Sequence, residues 1–423
     1  MAEQAWIDHP TRVSTRQGVP AVTWAYGVLM GWVEWLACGL VAVVAGTALV
    51  LAIGNRRTLR AAALVATPDR AGASQVHGAD DGRRPLVAFV ANPTKPGVAA
   101  LRDAAVQACA ARYLPEPIWL ETTVEDPGIG QTRQALDRGA ELVVAIGGDG
   151  TVRAVAEGLV GTSVPMGLIP QGTGNLLARN LDLPLNDTQA LLRIALTGRD
   201  WPIDVGWMRV IRDEADVADD VAEADPQARA PQERPPDAEA TPRDHIFLVI
   251  AGLGFDAAMV ASADEELKAK VGWIAYFVSG IRHMHARRMR VQLSMDDAPW
   301  ESVRLRTLLA GNCGRLPGGI TLLPDAVLDD GWLDVGMIDT RGGLVGWVQL
   351  FGEVVLQGFG VRNRLPNRIG RIDHARARDV RIRSRDAQDV QVDGDIIGSA
   401  LEVAARVDPL ALTVRVAAGR RQS

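Results

Sequence analysis

Residues 145–159 read AIGGDGTVRAVAEGL, and residues 169–175 read IPQGTGN. Each stretch is a short apolar run that ends in glycines just ahead of a helical pattern. Glycines at such a handover let the backbone approach a ligand closely, and the amides that open the next helix favour anionic oxygens. A polyphosphate suits that chemistry. In the first turn Gly147, Gly148 and Gly150 give the close approach and Thr151 adds a hydroxyl donor. In the second, Gly172 and Gly174 do the same, while Thr173 and Asn175 can bond ligand oxygens or the other turn. Neither the dinucleotide glycine pattern nor the P-loop pattern is present. Asp149 is the unusual member, because a carboxylate repels phosphate. A Mg²⁺ ion that accompanies the phosphates resolves the conflict, since it commonly bridges phosphates and one or two carboxylates. The plainer alternative is a tight strand-to-helix turn in which Asp149 caps the helix.

Such turns need a scaffold that brings two strand ends to one edge. From Pro85 onward strands and helices alternate: PLVAFVANP, a helix over 98–112, EPIWLETT, a helix over 129–138, and ELVVAIGGDG running into the first turn. A helix over 152–160, the strand VPMGLIP and a helix within GTGNLLARNL follow. This alternation predicts an α/β domain over 85–200, with a parallel sheet and helices on both faces. Ligands of such sheets bind beyond the carboxyl ends of the strands, where both glycine turns fall.

After Trp201 the texture becomes strand-rich, which predicts a β-rich domain over 201–416 with two helices, around 264–283 and 343–358. The segment 212–244 carries 11 acids and 4 arginines, so it accounts for the chain's net charge of −6 and leaves the rest near neutral. With many Pro and Asp and few aromatics it reads as a disordered insertion between two strands. Arginines recur through 362–385 and in HMHARRMR (283–290). Without interleaved aromatics they do not suggest nucleic acid; solvated strand faces or attraction to anionic lipid headgroups are the two readings. The three cysteines, Cys38, Cys109 and Cys313, are odd in number and not spaced as metal ligands, which argues for a reducing compartment.

The N-terminal segment 1–54 holds the longest apolar run, uncharged from Leu36 to Ile53 and opened by Trp24, Tyr26, Trp32 and Trp35. Roughly 20 such residues span a bilayer core. A transmembrane helix at about 28–53 is therefore expected, followed by a juxtamembrane linker over 55–84. Arg56, Arg57 and Arg60 would place the larger part of the chain in the cytoplasm, giving a single-pass cell-membrane protein. A signal peptide or a buried helix are the other readings of this run.

The motifs NPTKPG (92–97), GGDGT (147–151), PQGTGN (170–175), WPIDVG (201–206), AGLGFDA (251–257), LPDAVLDDGWLDV (323–335) and QVDGD (391–395) occur in that order. Together they resemble the diacylglycerol kinase catalytic-domain family of lipid kinases, over about residues 85–416. The resemblance implies transfer of the γ-phosphoryl group of ATP to a hydroxyl of a membrane lipid, with Mg²⁺, in the cleft between two domains. It implies ATP contacts from Asn92, Gly148, Asp149, Gly150, Thr151 and Thr173, and from Thr122 or its neighbour Thr123. Asp204 would help to hold the catalytic Mg²⁺. A second, structural metal would take the Asp330 carboxylate and the carbonyls of Val327 and Trp332, although Asp330 also reads as a β-turn acid. The family's general base is the Glu closing V-D-G-E; here that position is Asp395, one methylene shorter, with Asp393 as the nearby alternative. Many relatives read Asn-Glu directly after GGDGT-x, where this chain has Arg153 and Ala154. Arg153 could serve the phosphates or merely solvate the helix. Two rivals are phosphorylation of a soluble substrate, as in NAD kinases, and a non-catalytic lipid-binding protein on a kinase fold. Nothing in the sequence selects the acceptor lipid. The oligomeric state has no signature either, a homodimer being compatible with it.

Overall fold

The computed structural model describes residues 84–213, 216, 244–254, 288–315, 321–340 and 370–418. The apolar run at 28–53, nearly all of the linker and of the acidic insertion, and the helices around 264–283 and 343–358 lie outside the described residues. Asp81–Ser423 form one compact unit.

Strands β1 (Val87–Ala91), β2 (Ile118–Glu121), β3 (Leu142–Gly147) and β4 (Met166–Pro170) make a parallel sheet in the order β4-β3-β1-β2. All residues of β1, β3 and β4 are buried, as expected for strands covered on both faces. The covering helices are α1 (Val98–Ala110), α2 (Ile129–Asp137), α3 (Asp149–Leu159), α4 (Leu176–Asn180) and α5 (Thr188–Thr197). Helix α1 buries Val98, Leu101, Ala105 and Cys109, one stripe at helical spacing. Helix α5 is absent from the sequence reading. Asp187 caps it by accepting the Ala190 amide, and Ala195 packs so close to β4 that a Cβ on Gly167 would lie 2.9 Å from its Cβ.

The β-rich part comprises β5 (Arg199–Arg212), β6 (Asp244–Phe247), β7 (Ile250–Leu253), β8 (Met289–Met295), β9 (Glu301–Leu305), β10 (Thr307–Gly311), β11 (Leu333–Thr340), β12 (Gly370–Ala377), β13 (Asp379–Val392) and β14 (Asp395–Val416). Strand β14 runs back to the parallel sheet and joins it through Val414 opposite Met166 of β4. The described strands thus form one continuous 14-stranded sheet. One hydrophobic core lies under the parallel strands and extends to Trp201, Ile203, Val205, Leu412, Val414 and Val416. A second is built by β-rich elements alone, around Phe247, Leu308, Val335 and Val403.

The expected cell-membrane localisation, single-pass with a cytoplasmic catalytic part, does not stand. No helix of the described residues is long and apolar enough to cross a membrane, so the transmembrane part of the expected fold is unsupported. An apolar run is also what a helix buried in a core carries, and hydropathy alone does not separate the two. Cys109 and Cys313 are buried and free, and Cys38 lies outside the described residues.

Candidate active site

The carboxyl ends of the four parallel strands carry the predicted ligand residues. Asn92 follows β1, with its amide on the Ile146 carbonyl (2.9 Å) and its side-chain oxygen accepting the Thr94 amide and hydroxyl. Thr122 follows β2, buried, its amide on the Ala91 carbonyl (2.9 Å). The GGDGT turn follows β3 and the QGTGN turn follows β4. Adjacent parallel strands end at the same edge, so the fold brings these four segments together.

The two glycine turns are in backbone contact. A Cβ on Gly172 would lie 2.8 Å from the Gly148 Cα, closer than real side chains come. The Gln171 amide donates to the Gly147 carbonyl (2.7 Å). Asn175, in the left-handed region at φ 48°, locks the second turn on itself: its side chain accepts the Gly172 amide (2.9 Å) and donates to the Gly172 carbonyl (2.7 Å). Thr151 is buried against Gly147, where a Cβ would lie 2.6 Å from its hydroxyl oxygen. Thr173 is exposed on the second turn.

Asp149 does not cap its own helix. Gly148 is the N-cap residue of α3, and the Asp149 carboxylate reaches across to the second turn. One oxygen accepts the Asn175 amide (2.9 Å) and the other the Leu176 amide (2.6 Å), so Asp149 ties the start of α4 to the start of α3. Burial pushes its carboxyl above the usual range; the two amides oppose this, and the charge of Asp395 adds to it. The acid in the glycine turn therefore fastens two phosphate-type turns together. The first amides of α3 have no intrahelical acceptor, as at any helix start, and an anion can take them.

Asp395 arrives from the β-rich part. Strands β13 and β14 form a hairpin whose two-residue turn is Asp393-Gly394, at φ 48° and 94°. Positive φ at both central residues marks the type I′ turn, for which Asp-Gly is a preferred pair. Asp393 is buried, and its carboxylate accepts the amides of Leu248 (2.8 Å), Val249 and Ile250 (both 2.9 Å). It is committed to docking the hairpin on the start of β7. Asp395 has a 58% exposed side chain, and its Oδ2 lies 3.8 Å from where a Cβ of Gly150 would stand. Arg153 on α3 donates to that oxygen (2.7 Å) and to the Val392 carbonyl (2.7 Å). Of the two candidate acids, Asp395 faces the glycine turns in the open and Asp393 is a buried anchor.

Burial pushes the Asp393 carboxyl to about 6, against three amides and the Arg153 charge that favour its ionised form. The consequence for stability has a definite sign. Below about pH 4 the group is protonated in both folded and unfolded chains. Between about 4 and 6 the unfolded chain ionises while the folded chain keeps its proton, so stability falls as pH rises, by ~3 kcal/mol in total. Urea unfolding from pH 4 to 7 should show this fall in the wild type relative to Asp393→Asn. Parallel curves for the two proteins would contradict the assignment.

Asp204 and Asp330 belong to a different locality. Asp204 is fully buried; its carboxylate accepts the Gly331 amide (2.6 Å) and the Leu410 amide (2.8 Å), and Asn312 donates to its carbonyl (2.7 Å). It joins β5 to the 328–331 loop and to the irregularity of β14 at Leu410, where the β5 register shifts. Burial raises its carboxyl, the two amides oppose this, and Asp330 and Asp329 raise it further. Asp330 accepts the Trp332 amide (3.1 Å) and is ion-paired with Arg376, whose guanidinium also lies 3.5 Å from buried Asp334. The sequence reading counted Arg376 among the arginines of 362–385, as a solvated strand face or a headgroup contact, and did not pair it with Asp330, 46 residues away. Asp329 takes the Trp201 indole N–H (2.8 Å).

These contacts decide which metal expectation the residues fit. Among the described residues no group of three or more His, Cys, Asp or Glu is arranged to hold an ion. At the 327–332 loop a guanidinium already stands on Asp330, so the donor set of Asp330, Val327 and Trp332 does not fit a metal there. At the glycine turns the Asn175 and Leu176 amides occupy both oxygens of Asp149 and Arg153 is paired with Asp395, so a cation there would be held by the phosphates of the nucleotide that carries it.

Comparison with known proteins gives the family and the fold. Residues 87–208 match the diacylglycerol kinase catalytic domain. Residues 249–416 match the YegS C-terminal NAD kinase beta sandwich-like domain. A "probable lipid kinase YegS-like" of Pseudomonas putida is 31% identical over 291 residues, covering 68% of this chain and 80% of that protein. Its counterpart in Pseudomonas aeruginosa is 30% identical over 290 residues, with the same coverage. In fold, the chain is similar to the crystal structure of a diacylglycerol kinase from Bacillus anthracis. The TM-score is 0.56 at 21% identity, over 79% of this chain and 97% of that one.

Proposed function

This chain belongs to the diacylglycerol kinase catalytic-domain family, and from that premise we propose that it transfers the γ-phosphoryl group of ATP to a hydroxyl of a lipid. The observation that carries the reading is the meeting of two parts of the chain. Glycine turns fastened by Asp149 lie at one edge of the parallel sheet, and Asp395 reaches Gly150 from the β14 hairpin.

The residues divide the work as follows. Backbone amides at Gly148, Gly150 and the opening of α3, with Thr173 across the contact, receive phosphate oxygens. Asn92 and Thr122 line the same edge on the nucleotide side. Asp149 keeps the two turns at fixed separation. The lipid hydroxyl oxygen attacks the γ-phosphorus while the bond to the β–γ bridging oxygen breaks, and Asp395 takes the hydroxyl proton. A base does this from about 3 Å or through one water. A Mg²⁺ ion carried by the nucleotide would supply neutralisation of the phosphate charge when bound. The protein mainly supplies alignment, because the transition state of phosphoryl transfer is loose. Asp204 supports the joint between β5, β14 and the 328–331 loop.

The test is transfer of label from [γ-³²P]ATP by the purified protein to a panel of lipids: diacylglycerol, monoacylglycerol, a sphingoid base, ceramide and phosphatidylglycerol. NAD serves as the soluble comparison. Labelled product from at least one lipid and none from NAD is expected. Labelled NAD phosphate without any lipid product would reverse the choice of substrate class. Lipid binding with no transfer at all would make the chain a non-catalytic member of its family.

A further inference from the structure

Arg153 stands one helical turn into α3, the helix whose first amides face the phosphate site, and its guanidinium crosses to the β14 hairpin 242 residues away. It makes two bonds there, one to the Asp395 carboxylate and one to the Val392 carbonyl, both 2.7 Å. Among the described residues that guanidinium is the one hydrogen-bond partner of the Asp395 side chain. The two ends differ in exposure, 19% for Arg153 and 58% for Asp395, so a half-sheltered cation holds an open acid.

We infer that Arg153 is a positioning residue for Asp395, fixing its carboxylate at a set distance from the phosphate-binding end of α3. The inference rests on the proposed role of Asp395 as proton acceptor. An Asp side chain at the first residue after a hairpin turn has two free torsions and, next to a glycine, little to pack against. Unrestrained, it samples positions that do not meet the substrate hydroxyl, and misplacement by about 1 Å is enough to slow a reaction on the order of 100-fold. The planar fork of Arg removes this freedom, because one arm is held by a backbone carbonyl while the other holds the carboxylate. The proton acceptor and the phosphate platform are then attached to the same rigid helix, although they come from opposite ends of the sequence. Lys offers the charge but not the fork, so it should replace Arg153 only in part.

Two measurements on the full chain test this. The first needs no substrate: hydrogen exchange of the 389–399 hairpin in wild type and Arg153→Gln. Faster exchange in the variant is expected, and unchanged exchange overturns the anchoring. The second is kinetic, on the best lipid of the panel. Arg153→Gln should lower kcat by about 10- to 100-fold with the KM for lipid and ATP within about twofold. Arg153→Lys should recover part of the loss. The double variant Arg153→Gln/Asp395→Asn should be no slower than Asp395→Asn alone, because a positioning residue has nothing left to position. Losses that multiply, or a rise in the KM for ATP with kcat intact, would assign Arg153 to the phosphates and overturn the inference. If the wild type phosphorylates no lipid, the kinase reading fails on its own assay, while hydrogen exchange still decides whether Arg153 holds the hairpin.

Discussion

Asp395→Asn is expected to lower kcat by about 10²- to 10⁴-fold, the usual range for removing a general base, with little change in thermal stability. The amide keeps the size and most of the geometry of the acid but cannot take the proton of the attacking hydroxyl. Stability should change by no more than about 1 kcal/mol because the Asp395 side chain is largely exposed, although the Arg153 end of the pair is sheltered. Asp393 cannot substitute: its carboxylate is buried beneath three backbone amides and faces the start of β7. Steady-state kinetics on the preferred lipid, with melting curves of both proteins, checks the expectation. A kcat within threefold of wild type would remove Asp395 from the chemistry. Because phosphoryl transfer depends more on alignment and charge than on the base, Asp395→Glu is the informative companion. It restores the family's longer acid but displaces the carboxylate from the position Arg153 holds.

The second large effect is expected from Gly172→Ala. Gly172 does not have a positive φ, so alanine meets no backbone penalty there. The added methyl would instead lie 2.8 Å from the Gly148 Cα and 2.9 Å from the Asn175 side-chain oxygen. The first contact is with backbone, which cannot swing away, so the two glycine turns must separate. Separation weakens the Asp149 bonds to Asn175 and Leu176 and moves the phosphate-binding amides. We expect kcat/KM for ATP to fall about 100-fold, the cost of roughly 1 Å of misplacement, with ~1–2 kcal/mol lost in stability as an overpacked contact relaxes. Gly150→Ala separates the two effects. Its methyl would meet only Asp395, at the ordinary distance of 3.8 Å, and it sits within α3, where Ala is favoured over Gly. That variant should keep or gain stability while losing ATP binding, because its methyl points to the nucleotide side. Isothermal titration with a non-hydrolysable ATP analogue and urea unfolding read the two quantities. Equal ATP affinity in Gly172→Ala and wild type would refute the role of the turn contact.

Local features were legible without coordinates. The wholly apolar strands β1, β3 and β4 were readable because a strand buried on both faces has an uninterrupted hydrophobic string. The helix over 98–112 was readable from its pattern, and Asp393, offered there as an alternative base, stands in an Asp-Gly pair that tolerates positive φ. Either glycine turn alone also reads as an ordinary capped strand-to-helix turn; the two together suggested a phosphate-type site. Helix α5 was missed, and the apolar run at 28–53 suggested a membrane anchor that the described residues do not support.

The sequence by itself determined the alternation of strands and helices over most of 85–200, the strand-rich texture after it, and the set of side chains at the carboxyl edge of the parallel sheet. Those follow from local periodicity and from backbone preferences at single residues. Only the tertiary structure decided what each acid does. Asp149 turned out to fasten the second glycine turn, Asp204 to brace a joint, Asp330 to face Arg376, and Asp395 to lie in the grip of Arg153. A carboxylate's role depends on which donors surround it. In this fold those donors come from residues 26 to 242 positions away, brought near by strand pairing that no local pattern records.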